Sequence, residues 1–112
     1  MSDQSTIIPF QNAHNHRASP QSIFFDRGEF QAILNIYGKM VASGYWKDYA
    51  ISASKDVATF AVFQKASERP IFRITKTPAL HHKQGAFAIH SSQGQILKRG
   101  QELPQVLKYF EK

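Results

Sequence analysis

Apolar residues recur at helical spacing in the stretch that follows residue 25. The positions that would form one buried face are Phe30, Ile33, Leu34, Tyr37, Met40 and Val41. Asp26 can cap this helix, and Glu29, three residues later, can reach back to it in a capping box. Gly44 suits the left-handed backbone that commonly follows the last helical residue. The pattern therefore predicts an amphipathic helix between Asp26 and Gly44.

Beyond this helix the spacing of apolar residues changes from about 3.6 to about 2, which is typical of strands. The predicted strands are residues 49–53, 57–64, 70–76, 86–91 and 95–98. In the third strand the alternation places Arg73 and Thr75 on the face opposite Phe72, and Arg69 is expected to share the face of Arg73. Because short turns join the strands, we expect an antiparallel meander and not a parallel sheet with helical crossovers.

A second amphipathic helix closes the chain. It is expected to start near Gln101 and to accept Pro104 in its first turn, where the missing N–H costs little. Its buried residues would be Leu103, Val106, Leu107 and Phe110. The sequence thus predicts an α+β fold, consisting of a helix, an antiparallel meander of about five strands and a C-terminal helix, with both helices packed on one sheet face. The other face of the sheet is expected to remain open.

The first 22 residues differ in composition from the rest of the chain. They are rich in Gln, Asn, Ser and His, and their apolar residues form one short cluster at Ile7, Ile8 and Phe10. We predict a mostly disordered polar tail over residues 1–22, followed by one α+β domain over residues 23–112. The alternative is that the apolar cluster docks on the domain or on a partner as an extended segment.

Composition excludes several classes of chemistry. The chain of 112 residues contains no cysteine, so it has neither disulfides nor a thiolate nucleophile, which favours a reducing compartment. It also has no apolar run approaching the roughly 20 residues of a membrane span. These features predict a cytoplasmic protein that does not cross a membrane.

The residues that could support catalysis or bind a metal are scattered. Carboxylates are either candidate helix caps or lie apart, so no acid–base pair is evident. The pairs His14/His16 and His81/His82 lack metal-site spacing and are interpreted as solvated, and His90 is interpreted as an exposed ring at a strand end. No phosphate-binding loop or nucleotide motif occurs. We therefore predict a protein that is not an enzyme and has no catalytic residue, metal or cofactor.

The net charge of +6 is confined to one segment. Residues 65–99 contain seven basic residues against the single acid Glu68, and the rest of the chain is balanced. A positive patch suits polyanions, because Lys and Arg contacts to phosphate provide most non-specific affinity for nucleic acids. The candidate polyanion-binding residues are Arg69, Arg73, Lys76, Lys83, Lys98 and Arg99. The alternative is that these charges only keep an exposed sheet in solution.

A protein partner would need exposed apolar residues on the open face or on an edge strand. The candidates for such an interface are Tyr45, Trp46, Tyr49 and Ile71. Trp46 follows the end of the first helix, and its burial in the core is the alternative. We interpret the chain as a protein–protein interaction module or adaptor subunit with an unidentified protein partner, and nucleic-acid or other polyanion binding through residues 65–99 is the alternative function.

Several segments together resemble a family of small alphaproteobacterial proteins catalogued as a domain of unknown function, over about residues 24–111. The segments that carry the resemblance are residues 25–27, 36–42, 46–51, 60–63, 70–74, 83–86 and 96–100. The resemblance implies a bacterial cytoplasmic protein and supplies no functional residue. The order of helix, strands and helix is also similar to that of double-stranded RNA-binding domains, although the extra strands and the loop 77–85 depart from them.

Overall fold

The computed structural model of the chain describes residues 6–8, 21–64 and 69–111, and it confirms the predicted α+β fold. The strands are β1 (Thr6–Ile8), β2 (Asp48–Ala53), β3 (Ala58–Phe63), β4 (Phe72–Lys76), β5 (Phe87–Ser91) and β6 (Ile96–Gly100). The helices are α1 (Arg27–Ala42) and α2 (Leu103–Leu107), with 3₁₀ turns at Pro78–Leu80 and Lys108–Glu111. None of the described helices is both long enough and apolar enough to cross a membrane.

The strands form one antiparallel sheet in which spatial order follows chain order from β1 to β6. Five of the strands are the predicted meander. The sixth, β1, comes from the segment predicted as a polar tail, where Thr6 pairs with Ala53 and Ile8 pairs with Ile51. Ile7 and Ile8 therefore lie in an extended segment that pairs with the domain, which was the alternative to a disordered tail. Residues 1–5 and 9–20 of that tail, including Phe10, lie outside the described residues.

Both ends of α1 follow the capping chemistry that the sequence predicts. Oδ1 of Asp26 accepts from the Glu29 backbone N–H at 2.8 Å, and Oε1 of Glu29 accepts from the Asp26 N–H at 2.8 Å. At the other end, the Tyr45 N–H bonds to the Met40 carbonyl and the Gly44 N–H to the Val41 carbonyl, with φ of +84° at Gly44. This is a Schellman motif, so residues within or next to α1 specify where the helix begins and ends.

The buried face of α1 is rotated from the one predicted. Ile33 is buried as expected, but Ile36 is also buried, whereas Val41 is 40% exposed. The reason is the position of α2, which packs beside α1, so that Ile36 borders Pro104 and Leu107. The prediction for Val41 was wrong because helical spacing does not show on which side a second helix will pack.

The core lies between the helices and one face of the sheet. The fully buried large side chains are Ile33, Trp46, Phe60, Val62, Ile74, Ile89 and Val106. α1 meets the sheet through aromatic contacts, with the rings of Phe30 and Tyr37 centred 6.2 and 5.9 Å from that of Phe60. In α2, Leu103, Val106 and Leu107 are buried as predicted. Both helices therefore cover the same sheet face, as the apolar pattern predicts.

Candidate functional site

The sheet face opposite the helices carries two neighbouring rows of cross-strand partners. From β2 to β6, the first row is Ala50, Ala61, Arg73, His90 and Ile96. The second row is Ser52, Thr59, Thr75, Ala88 and Arg99. We call these two rows the open face. As predicted, Arg73 and Thr75 lie on the side of β4 away from the core.

Three polar side chains of the open face are arranged around β5. Arg73 and His90 are direct cross-strand partners, and Nε2 of His90 lies 3.0 Å from Oγ1 of Thr75. His90 also shares a hydrogen bond with the backbone of Gly94. The ring is half-buried and held from two sides, so its interpretation as an ordinary exposed histidine was wrong. The strand register could have identified this cluster, but register is not readable from one strand alone.

Arg99 is held at the other end of β5. Its Nη1 donates to the Gly85 carbonyl at 2.9 Å, and its side chain is half-buried. Gly85 has φ of +103° and lies against the backbone of Gly100. It can occupy this position because glycine has no Cβ. A Cβ added to Gly85 would lie 2.6 Å from the carbonyl carbon of Gly100. The close approach of two glycines therefore creates the acceptor that orients Arg99.

The surroundings of His90 disfavour its protonated form. Partial burial lowers its pKa below the ordinary value of 6.5, and the positive charges of Arg73 and, to a smaller extent, Arg99 lower it further. The hydrogen bond with Gly94 acts in the opposite direction. Because the pKa is depressed on folding, the unfolded chain binds this proton more readily. The stability that His90 contributes is therefore present above pH 6.5 and is lost as the pH falls through the pKa of the folded protein.

An NMR titration of the His90 ring protons is expected to give a pKa below 6.5 in the wild-type protein. In Arg73→Gln the pKa should rise towards 6.5, because the cation with the larger effect on the ring has been removed. Lys98→Gln removes the same charge from the helix side of β6, so it should leave the pKa of His90 unchanged. A wild-type pKa at or above 6.5, or the same shift in both variants, would contradict this account of the site.

The structure does not bring the six predicted polyanion-binding residues together. Only Arg73 and Arg99 lie on the open face. Lys76 lies on the helix side, where its Nζ bonds to Oε1 of Glu29 at 2.8 Å and to the Phe24 carbonyl at 3.0 Å. Lys98 pairs across the ladder with Ile89 and also lies on the helix side. One continuous segment of charge is thus divided between two faces, because neighbouring strand residues point in opposite directions.

The remaining basic candidates lie in loops. Arg69 is exposed and precedes β4, so it does not share a strand face with Arg73 as the alternation predicted. Lys83 is exposed in the loop between β4 and β5, two residues before Gly85. Lys65 and its acidic neighbour Glu68 lie outside the described residues. Among the basic candidates in loops, Lys83 is the one nearest in sequence to Gly85, whose carbonyl accepts from Arg99.

The four predicted interface residues do not form a surface patch. Trp46 is only 1% exposed and belongs to the core, so the alternative of burial holds. The ring of Tyr49 stacks on Phe60 with centroids 4.7 Å apart, and burial, aided by the carboxylate of Asp48, raises its pKa above 10.0. Ile71 is half-buried against the core, whereas Tyr45 is 59% exposed. A protein-binding role must therefore rest on another surface.

The outer edge of β6 provides such a surface. β6 is the last strand of the sheet, and no described strand pairs with its outer side. Ile96, at its start, is 52% exposed. A groove of about 380 Å³ runs between this strand and the C-terminal helical turns. Its lining consists of Leu97, Lys98, Gln105, Lys108 and Tyr109. This basic groove beside an unpaired strand was not predicted, because its two lysines are distant in sequence.

Comparison with known proteins supplies a family but no activity. A family model described as Protein of unknown function (DUF2794) matches residues 23–107. The match spans both helices and strands β2 to β6, and it leaves β1 outside. No curated protein and no solved structure matches the chain. The predicted resemblance to a domain of unknown function is confirmed, and the chain belongs to the DUF2794 family of proteins of unknown function.

Proposed function

We propose that this protein is a non-enzymatic interaction module that pairs the outer edge of β6 with an extended, acidic segment of a partner protein. The observation that supports the proposal is the unpaired edge beside the basic groove. An edge strand offers a row of backbone N–H and C=O groups that an incoming peptide can extend as a further strand. Side chains on one side of that peptide would lie over the groove.

Charge selects an acidic occupant over a second copy of this chain. Lys98 and Lys108 both line the groove, both are exposed, and neither is paired with a carboxylate of the described residues. Two copies joined along β6 would bring the same lysines together, and like charges across an interface are unfavourable. Lysine on an edge strand discourages self-association in this way. The charge that opposes a second copy attracts a segment rich in Asp and Glu.

The test uses a synthetic peptide in which Glu alternates with Val. Added to ¹⁵N-labelled protein, it is expected to shift the amide signals of β6 and of the groove-lining residues. Replacing both lysines, as Lys98→Glu with Lys108→Glu, should weaken binding by at least about tenfold because like charges then face each other. Lys55→Glu, an exposed substitution in the turn between β2 and β3, is the charge control and should retain most of the affinity.

A second peptide tests the backbone pairing. It carries the same charge but has Pro in place of Val, and therefore lacks half of the N–H groups that a strand needs. It should bind much more weakly than the Glu–Val peptide. Equal binding of both peptides, shifts confined to other strands, or a concentration-dependent dimer joined through β6 would each contradict the proposal.

A further inference from the structure

The open face carries positive charge that the described part of the fold leaves without a counter-charge. Arg73 and Arg99 are half-buried, and no carboxylate of the described residues forms an ion pair with either. The acidic side chain that register places on this face, among the described residues, is Asp48 on β2, three strands away from β5. Partly desolvated cations gain most from a nearby anion. The charge of the open face therefore favours the binding of an anionic ligand.

The spacing of the two arginines indicates a chain of anions and not a single one. Arg99 is held by Gly85, ahead of β5, whereas a Cβ at Gly94, in the turn after β5, would lie 3.8 Å from Nη2 of Arg73. The five residues of β5 extend about 16 Å at roughly 3.3 Å per residue. Two guanidinium groups at opposite ends of the strand cannot share one phosphate, but they can contact separate phosphates of one polymer.

The side chains around the arginines favour a nucleic acid over a protein. Next to the arginines, the open face on β2 and β3 consists of the four small side chains Ala50, Ser52, Thr59 and Ala61. The half-buried Phe63 lies beyond them, opposite Asp48. Protein interfaces usually depend on large aromatic or apolar anchors, and these four side chains supply none. The aromatic ring that register places on this face, Phe63, lies at the Asp48 end and not beside the arginines, so contacts to the backbone of the nucleic acid would dominate. Lys83 is exposed in the loop two residues before Gly85 and is a further candidate for a phosphate contact.

We infer that the open face binds the phosphodiester backbone of a nucleic acid without sequence preference, with Arg73 and Arg99 contacting separate phosphates and His90 positioned between them. The inference is independent of the peptide site, because the two sites use side chains on opposite faces of β6. Arg99 lies on the open face, whereas its neighbour Lys98 lines the groove on the helix side. The two residues therefore form a matched pair for mutagenesis.

The main experiment measures binding of fluorescently labelled oligonucleotides by anisotropy across a range of salt concentrations. Single-stranded RNA, single-stranded DNA and duplexes of both are the probes, so the strand form that binds is part of the result. The wild-type protein should bind at low ionic strength with a steep salt dependence. Arg73→Gln with Arg99→Gln should weaken binding roughly tenfold and lower the slope of log K against log salt by about 1.4–1.8. Lys98→Gln should leave both quantities nearly unchanged.

A second readout does not depend on the stability of the variants. In the wild-type protein a bound oligonucleotide should shift the signals of β4, β5 and β6 and raise the pKa of His90, because phosphates offset the cations around the ring. The groups that face His90 are Arg73 and Thr75 of β4, Arg99 of β6, the Gly94 backbone, and the uncharged Ala61 and Thr59 of β3. None of these is acidic, so a rise in the pKa reports the ligand.

Four outcomes would overturn the inference. They are the absence of saturable binding to every oligonucleotide at low ionic strength, an equal loss of affinity in Lys98→Gln, an unchanged pKa of His90 at saturation, and equally tight binding of poly-glutamate to the same residues. Loss of oligonucleotide binding in the double arginine variant with retention of the acidic peptide would support this inference and leave the peptide proposal intact. Full retention of both oligonucleotide and peptide binding in that variant would overturn this inference alone.

Discussion

Trp46→Ala is expected to lower the free energy of unfolding by about 3–5 kcal/mol, the typical cost of removing a large buried aromatic side chain. The indole joins three parts of the fold. Its ring lies 6.1 Å from Tyr37 of α1, 6.2 Å from Phe72 of β4 and 4.9 Å from Phe110 near the C-terminus. Truncation would leave a cavity that rigid strands cannot close. Because small domains are stable by only about 5–15 kcal/mol, the variant should be close to unfolding.

Urea denaturation followed by far-UV circular dichroism measures this loss, since the variant has no tryptophan for a fluorescence signal. Tyr45→Ala is the matched control. It removes a neighbouring aromatic ring that is 59% exposed, so it should change stability by less than about 0.5 kcal/mol. A loss below about 1 kcal/mol in Trp46→Ala would mean that the indole is not packed as described.

Gly85→Ala is expected to destabilise the protein by at least about 3 kcal/mol through two effects that act together. The first is backbone conformation, because φ of +103° is strained for any residue with a Cβ. The second is contact, because that Cβ would lie 2.6 Å from both the carbonyl carbon and the carbonyl oxygen of Gly100. Backbone atoms cannot move aside as a flexible side chain can, so the start of β5 would have to separate from the end of β6.

Gly38→Ala is the control for the same change in chemistry. Gly38 is exposed within α1, and a Cβ there would meet nothing within 4 Å. Alanine should therefore stabilise the helix by about 0.5–1 kcal/mol. Thermal and urea unfolding of both variants should show opposite signs. Equal stability of Gly85→Ala and the wild-type protein would show that the Gly85–Gly100 approach, and with it the position of Arg99, is not as described.

The local elements of this fold could be predicted because their signals are local. Asp26 and Glu29 are three residues apart, and the Gly44 signal lies at the end of the same apolar stripe, so neighbouring side chains specify the limits of α1. The strands likewise follow alternation within a few residues. Val41 was wrongly assigned to the buried face, and the burial of Ile36 was not predicted, because the limits of that face depend on where α2 packs.

The candidate sites could be predicted only in part. Alternation placed Arg73 on the outer face of its strand, but it did not show that His90 lies opposite or that Thr75 binds the ring. Those relations depend on the register between two strands joined by a loop. The basic groove beside β6 depends in turn on the turn after α2, which brings Lys108 next to Lys98. The sequence spacing of Arg73 and His90, and that of Lys98 and Lys108, does not indicate that the two residues of each pair are neighbours.

The sequence by itself determined that this chain folds as α+β, that its strands form a meander, and that its positive charge is concentrated in residues 65–99. Only the tertiary structure decided how that charge is divided. Lys76 is neutralised by Glu29, Lys98 borders the groove, and Arg99, the next residue, lies on the open face. The physical reason is that a strand turns successive side chains to opposite faces. Which face is covered depends on helices that are distant in sequence.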